Sequence, residues 1–280
     1  MCTNRKGCAK QRLDLLEHIV SYPLFRSKGR RRSFPLLTSA ILILSILMPS
    51  GIVGCAPSTE ELEAVDYTPL SGDDWEVSTP AEQGLDPMLV AELYYSAAEL
   101  ERLHGLLVIK NGHLIAEKYF HEGSVAQKAR VQSVTKSYTS ALVGIALDRG
   151  CLSSVEQRML NFFPEVAGQI TDPRKEQITI RDLLQMRAGF PWEESDPALW
   201  EGLLSGRYVP LIEGFPLVKD PGTAFHYSNL TSNWLGIIVD RACDAHLKPY
   251  AEENLFSPMG VEAGEWGTDW DGHNNGCGDL

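Results

Sequence analysis

The chain has 280 residues, with 25 Lys and Arg against 37 Asp and Glu, and a formal net charge of −12. Its length allows one large domain or two small ones. The charge is unevenly divided, because residues 1–54 hold nine Lys/Arg and two Asp/Glu whereas the remainder holds 16 and 35. Phosphate backbones are bound by positive surfaces, so the acidic body argues against nucleic acid as a partner.

The first 54 residues have the order of an export signal. The basic stretch RSKGRRRSF, residues 26–34, precedes an uncharged apolar run from Pro35 to Met48. This run is too short for a transmembrane helix, which needs about 20 residues, but it suits the apolar region of a secretory signal peptide. Arg31 and Arg32 also resemble a twin-arginine signal, although a plain basic region is the favoured interpretation.

The sequence IVGC, Ile52 to Cys55, follows the apolar run and resembles a bacterial lipobox. That resemblance implies that Cys55 is lipidated, and that the exported protein is anchored to the outer face of a bacterial cell membrane. An ordinary signal peptide with an incidental cysteine, or an uncleaved anchor, are the alternatives. We expect residues 1–54 to be prefix and signal peptide, residues 55–80 an acidic tether, and residues 81–280 a globular domain.

The remaining cysteines argue against a metal site. Cys151, Cys243 and Cys277 are widely spaced and form no C-x-x-C pair, so a zinc ribbon is not predicted. One disulfide is possible among them, but buried free thiols are the favoured interpretation. We expect neither a metal nor a cofactor.

Several helices and one hairpin are visible in the body. Asp86 and Pro87 have the residue types of a helix N-cap and first helical position. Asn111-Gly112 lies between two β-rich runs, which is a strong hairpin signal. A helix is predicted from Ser133 to a stop at Gly150, with Val134, Tyr138, Leu142 and Ile145 on its packed face. Further helical stretches are TIRDLLQMRAG, with a capping-box pattern, LTSNWLGIIVDRA and KPYAEENLF.

Two short motifs carry the candidate chemistry. In SVTK, Ser133 and Lys136 are three residues apart and therefore share one face of a helix. A serine hydroxyl becomes a good nucleophile when a neighbouring base takes its proton, and a helix N-terminus favours the developing negative charge. In YSN, Tyr227 and Asn229 follow a Pro-Gly turn and precede a helix, where they can face a cleft. Glu193 and Glu194 are interpreted as a solvated loop.

These motifs and their flanks resemble the serine β-lactamase and penicillin-binding superfamily, in its class C and esterase branch. SVTK matches the S-x-x-K motif of that superfamily and YSN matches its Y-x-N motif. Similarity to the superfamily extends to three flanking segments, GLLVIKNGHLIAEKYF, ITIRDLLQMRAGF and YAEENLFSPMGV. The sequence around the motifs is more similar to esterases and 6-aminohexanoate-dimer hydrolases than to true β-lactamases. The resemblance implies an α+β fold of the β-lactamase/transpeptidase type, with an antiparallel sheet and a helical region.

The same resemblance implies a mechanism and one departure. Ser133 would attack a carbonyl to form an acyl-enzyme, Lys136 and Tyr227 would move the proton, and Asn229 would bind and orient the substrate. The third superfamily motif, on a strand well downstream of the tyrosine, is not found, so we expect the C-terminal strands of the fold to be absent from this chain.

The sequence therefore predicts a lipid-anchored serine hydrolase acting on a small ester, amide or β-lactam. Two alternatives stay open: a lipoprotein that binds cell-wall peptides or β-lactams without catalysis, and an inactive truncated remnant of such a hydrolase.

Overall fold

A computed structural model describes residues 56–70 and 75–280. It divides into two compact units, the first ending at Gln127 and the second comprising Lys128–Leu280. Residues 1–55, including the predicted signal peptide and Cys55, lie outside the described residues, so the predictions for them stay predictions. Within the described parts of the chain, no helix is both long and apolar enough to span a membrane.

The first unit is a small sheet covered by a helix. Its elements are α1 (Thr59–Glu63), β1 (Glu76–Val77), α2 (Pro87–Ala97), β2 (Gly105–Lys110) and β3 (His113–Tyr119). The strand order is β1-β3-β2, with β2 and β3 antiparallel and β1 parallel to β3. The sheet is therefore mixed, and the short parallel strand was not predicted from the sequence.

Local chemistry explains the two predicted features of this unit. The carboxylate of Asp86 accepts a hydrogen bond from the backbone N–H of Met88, and Pro87 occupies the first position of α2. Asn111 and Gly112 both have positive φ, 53° and 81°, as a two-residue type I′ hairpin turn requires. Both predictions are confirmed.

Part of the range predicted as a tether packs into this unit. Tyr67 stacks on Tyr94 of α2, with ring centroids 5.5 Å apart, and Tyr94 stacks on Phe120 at 6.3 Å. The Tyr94 hydroxyl donates to the Leu106 carbonyl at 2.9 Å, which satisfies its one polar atom in the core. The acidic composition of residues 55–80 gave no indication that Tyr67 packs on Tyr94.

The second unit is helical. Its α-helices are α3 (Thr135–Asp148), α4 (Pro164–Ala167), α5 (Ile180–Leu184), α6 (Pro197–Leu204), α7 (Leu211–Gly214), α8 (Asn229–Cys243) and α9 (Leu247–Ala251). Short 3₁₀ turns are interspersed, at Gln132–Val134, Met159–Phe162, Pro173–Gln177, Glu193–Ser195 and Ser257–Met259, and a π-helical turn covers Glu252–Phe256.

Helix α8 is the centre of this unit. Every residue from Asn229 to Asp240 is buried, although the sequence NLTSN at its start is polar. Trp234 packs edge-on against Phe190, at a centroid distance of 4.8 Å, and its indole N–H donates to the Tyr208 carbonyl at 2.9 Å. A helix that is buried on all sides holds a fixed position, so the residues at its N-terminus are held as well.

The packed face of α3 differs from the prediction. Val134 was expected on that face, but 54% of its surface is exposed. The buried positions are Thr135, Thr139, Leu142, Val143 and Ala146. The start of the buried stripe is shifted by one residue, with Thr135 and Thr139 in place of Val134 and Tyr138. An apolar pattern does not predict this, because it treats threonine as polar, whereas the buried Thr139 hydroxyl is satisfied by the Thr135 and Gly276 carbonyls.

Candidate active site

Ser133 and Lys136 meet at the start of α3. Ser133 lies in the 3₁₀ turn Gln132–Val134, which leads directly into the helix, and Lys136 lies in the first helical turn. The Lys136 Nζ donates to the Ser133 Oγ at 3.0 Å. The three-residue spacing therefore gives the predicted contact. Ser133 is exposed, so a substrate can reach its hydroxyl.

The residue before the serine adopts an unusual backbone conformation. Gln132 has a φ of 47°, in the left-handed region that residues other than glycine and asparagine rarely adopt. Such conformations cost about 1–3 kcal/mol and persist where the surrounding structure enforces them, commonly at functional sites. Here the conformation begins the turn that presents the Ser133 hydroxyl to solvent.

Lys136 is surrounded by three acceptors. Besides Ser133 Oγ, its Nζ donates to the Asn229 Oδ1 at 2.9 Å and to the Cys277 carbonyl at 2.8 Å. Three acceptors match the three N–H groups of a lysine ammonium. The side chain is thereby fixed beside the serine, and the ammonium is stabilised by charge-assisted hydrogen bonds.

Tyr227 contacts the same serine although it lies 94 positions further along the chain. Its hydroxyl donates to the Ser133 Oγ at 2.9 Å, and the Lys136 Nζ lies 5.1 Å from the centre of its ring. Tyr227 precedes the N-cap of α8, Ser228, whose hydroxyl accepts from the Thr231 N–H. The cap fixes where the loop ends and the helix begins, and so fixes the approach of Tyr227.

The orientation of the Asn229 amide is set from both ends. Its Oδ1 accepts from Lys136, while its Nδ2 donates to the Glu194 carboxylate at 3.3 Å. A carboxylate can only accept and an ammonium can only donate, so the two partners define which side of the amide faces the lysine.

Glu193 occupies a position that the sequence interpretation missed. It is 0% exposed, and its carboxylate accepts from the Ser228 hydroxyl at 2.6 Å and from the Asn229 and Leu230 N–H groups at 2.9 and 3.1 Å. The expectation of a solvated loop is wrong for Glu193 and right only for the exposed Glu194. No local signal marked this burial, because the N–H groups at the start of α8 need acceptors but the sequence does not show that this helix start is buried away from water.

The third acceptor of Lys136, the Cys277 carbonyl, lies in a segment that is fixed at Gly276 and Cys277. The buried Thr139 hydroxyl donates to the Gly276 carbonyl at 2.8 Å, and the Asn233 Oδ1 accepts from the Cys277 N–H at 3.0 Å. A Cβ atom on Gly276 would lie 2.3 Å from the Ser232 carbonyl oxygen. This close approach to α8 needs glycine, and it places the Cys277 carbonyl within reach of Lys136.

The three described cysteines are free thiols, as favoured from the sequence, but each residue is only partly buried. Burial raises the pKa of the Cys277 thiol to about 11, so this side chain stays protonated near neutral pH although the neighbouring Lys136 opposes the shift. Only the backbone carbonyl of Cys277 contributes to the site.

The structure thus brings together four of the five residues singled out from the sequence, namely Ser133, Lys136, Tyr227 and Asn229, all within the second unit. Their chemical roles stay predictions. The fifth residue, Cys55, lies outside the described residues. In the described ranges, no group of three or more His, Cys, Asp or Glu side chains is placed to hold a metal ion.

Comparison with known proteins places more than half of the chain in a known family. The Beta-lactamase family model matches residues 97–275. Beta-lactamase-like protein 2 of Dictyostelium discoideum is 26% identical over 137 residues, which are 47% of this chain and 25% of that protein. A candidate D-alanyl-D-alanine carboxypeptidase of Escherichia coli K12 is 28% identical over 179 residues, covering 56% of this chain and 41% of that protein. The chain therefore spans less than half the length of these two relatives.

The fold has solved counterparts. A candidate 6-aminohexanoate-dimer hydrolase from Bacillus anthracis superposes with a TM-score of 0.54 at 18% identity, covering 78% of this chain and 58% of that one. The octameric penicillin-binding protein homologue from Pyrococcus abyssi superposes with a TM-score of 0.52 at 19% identity, covering 70% and 53%. The superfamily resemblance and the α+β fold class predicted from the sequence are confirmed.

Proposed function

Because the chain belongs to the beta-lactamase family, we propose that it is a serine hydrolase that cleaves a small ester, amide or β-lactam through an acyl-enzyme. The observation that carries the proposal is the convergence on one exposed hydroxyl. Ser133 Oγ lies 3.0 Å from Lys136 Nζ and 2.9 Å from Tyr227 Oη. A nucleophile needs such neighbours to release its proton at neutral pH.

The proposed reaction begins with attack of Ser133 Oγ on the substrate carbonyl carbon. Among the described side chains, Lys136 and Tyr227 are the ionisable groups that contact this oxygen. The step requires one of them to have lost a proton beforehand, Lys136 as the neutral amine or Tyr227 as the phenolate. That group takes the proton of the Ser133 hydroxyl as the Oγ–carbon bond forms, and then gives it to the leaving group. The carbonyl oxygen becomes an oxyanion, for which the Ser133 N–H at the start of the helical segment is one donor. Water then cleaves the acyl-enzyme by the reverse proton path and frees Ser133.

Asn229 has two parts in this proposal. Its Oδ1 holds Lys136 beside the serine, and its position at the buried start of α8 fixes that contact. The substrate-binding role of this amide rests on the family resemblance, because Asn229 is 6% exposed and both ends of its amide are hydrogen-bonded within the protein. The substrate identity is set by groups around this centre, and the proposal extends to esters, amides and β-lactams alike because all three present a carbonyl to the serine.

The test uses the whole chain with a fluorophosphonate probe and a p-nitrophenyl ester. Ser133→Ala should abolish labelling and lower ester turnover by several orders of magnitude, since members of a catalytic unit act together. Ser137→Ala, which removes an exposed hydroxyl from the same helix, is the matched control. Labelling without turnover would favour the non-catalytic binder instead. Labelling that survives in Ser133→Ala would exclude Ser133 as the nucleophile.

We also propose that the protein is exported and anchored to a bacterial membrane through Cys55, on the strength of the basic, apolar and IVGC segments in that order. Metabolic labelling with a tagged fatty acid tests this. Wild-type protein should carry the label and partition into detergent, and Cys55→Ala should do neither. Equal labelling of the two proteins would refute the anchor.

A further inference from the structure

A buried carboxylate lies directly behind the candidate active site. Glu193 is fully buried, and all three of its hydrogen-bond donors come from the three consecutive residues Ser228, Asn229 and Leu230. Its Oε1 accepts from the Ser228 hydroxyl and the Leu230 N–H, and its Oε2 accepts from the Asn229 N–H. It makes no contact with Ser133 or Lys136 among the hydrogen bonds of the described residues.

The Glu193 carboxylate provides acceptors for backbone N–H groups at the start of α8. The first N–H groups of a helix have no partner within it, and the first turn of α8 is buried. Glu193 and the Ser228 cap together satisfy three of these groups. In return, the positive end of the helix compensates the negative charge, which is otherwise costly to bury.

This arrangement controls the reacting residues indirectly. Tyr227 is bonded to Ser133, and Asn229 is bonded to Lys136, and both belong to the short stretch of chain that Glu193 holds. A shift of this stretch would break the buried hydrogen bonds to the carboxylate, which act together with the burial of α8. Misplacing reacting groups by about 1 Å can cost roughly 100-fold in rate.

We propose that Glu193 is a positioning residue, which fixes Tyr227 and Asn229 against Ser133 and Lys136 through its three hydrogen bonds to the start of α8. The inference rests on the proposed function, because the quantity it controls is the reactivity of Ser133. Glu193 does not contact Ser133 or Lys136, so it acts through Tyr227 and Asn229, and its main effect is on the rate of the chemical step.

Glu193→Gln is the informative substitution. The amide keeps one oxygen, but its NH₂ group must replace the other and cannot accept a hydrogen bond. In one orientation the Asn229 N–H loses its acceptor, and in the other the Leu230 N–H does. The matched control is Glu201→Gln, which makes the same chemical change at an exposed position on α6.

The experiment measures inactivation by a fluorophosphonate probe over a range of concentrations, together with amide hydrogen exchange of residues 228–231. In folded Glu193→Gln we expect the limiting inactivation rate to fall roughly 10- to 100-fold, with a smaller change in probe affinity, and the Asn229 and Leu230 amides to exchange faster. Glu201→Gln should match the wild type in both measurements. If Glu193→Gln does not fold, Ser228→Ala removes one of the three bonds, together with the cap on the Thr231 N–H, and should slow inactivation several-fold.

The outcomes separate the two proposals. A wild type that the probe does not label defeats the proposed function, and the exchange data then decide the inference alone. Wild-type inactivation rates and wild-type exchange in folded Glu193→Gln, or in Ser228→Ala where that variant is needed, would overturn the positioning role of Glu193 and leave the proposed function intact.

Discussion

The contact of Thr139 with Gly276 allows a test of how the lysine site is held. Thr139 is fully buried, and its hydroxyl donates to the Gly276 carbonyl at 2.8 Å. Thr139→Val replaces the hydroxyl by a methyl group of similar size and leaves this carbonyl without its donor. An unsatisfied buried polar group costs about 1–3 kcal/mol. The Thr139 hydroxyl also lies 3.2 Å from the Thr135 carbonyl, one turn back in the same helix. That carbonyl keeps a donor in Thr139→Val, because the Thr139 backbone N–H is available to bond it.

Thr139→Val should have only a moderate effect on activity, because the Cys277 carbonyl that accepts from Lys136 is still present. The Cys277 N–H still bonds to Asn233, so one of the two anchors of the 276–277 peptide is kept. A loss of about 1.4 kcal/mol in holding Lys136 corresponds to a tenfold change in rate. We therefore expect Thr139→Val to lower Ser133 labelling by up to about tenfold.

Thermal unfolding and probe labelling measure the two effects on the same protein. With about 2–4 °C of melting-temperature change per kcal/mol for a unit of this size, the expected decrease is roughly 2–12 °C. Ser140→Ala is the control, because it removes an exposed hydroxyl from the same helix. A Thr139→Val protein as stable and as reactive as the control would refute the view that this buried hydrogen bond holds the lysine site.

Three further predictions concern the segment that carries the Cys277 carbonyl. Gly276→Ala should destabilise the protein by about 1–3 kcal/mol in urea unfolding, because its Cβ would lie 2.3 Å from a carbonyl oxygen of α8. Gly278→Ala is the control and should be tolerated, because the nearest atom to its Cβ would be 3.9 Å away. The Asp240 carboxylate, 2.6 Å from His273, raises the pKa of that imidazole above its usual 6.5. The protonated pair therefore stabilises the fold fully below about pH 6.5, and the gain disappears as pH rises through the raised pKa. His273→Asn should accordingly lose more stability at pH 5.5 than at pH 9, and equal losses would contradict the assignment. Native Cys277 should react slowly with iodoacetamide at pH 8 and quickly in urea, as peptide mapping by mass spectrometry can check.

Local sequence signals predicted the features that depend on neighbouring residues. Asn111-Gly112 predicted a hairpin because few residues tolerate positive φ at two successive positions. The spacing of Ser133 and Lys136 predicted a contact because an α-helix or 3₁₀ turn places both on one side. These inferences needed no knowledge of the rest of the fold.

Contacts between distant parts of the chain needed more than local signals. Tyr227 and Ser133 are 94 positions apart, and only the resemblance to a known superfamily linked them before the structure did. Glu193 could not be placed at all, since two glutamates in a loop are usually solvated. Its burial follows from the unpaired N–H groups of α8, and that requirement becomes visible only when the helix is known to be buried at its start.

The candidate site combines an accessible nucleophile with rigid support. Ser133 is exposed on a turn with an unusual backbone conformation, whereas the groups that surround it come from buried elements. Asn229 is held by Glu193, and the Cys277 carbonyl by Thr139 and Asn233. Catalytic groups work best when their neighbours fix their geometry before the substrate arrives. All three supporting contacts just named involve backbone N–H or C=O groups. Substitutions behind the site should therefore alter reactivity without changing any residue that touches the substrate.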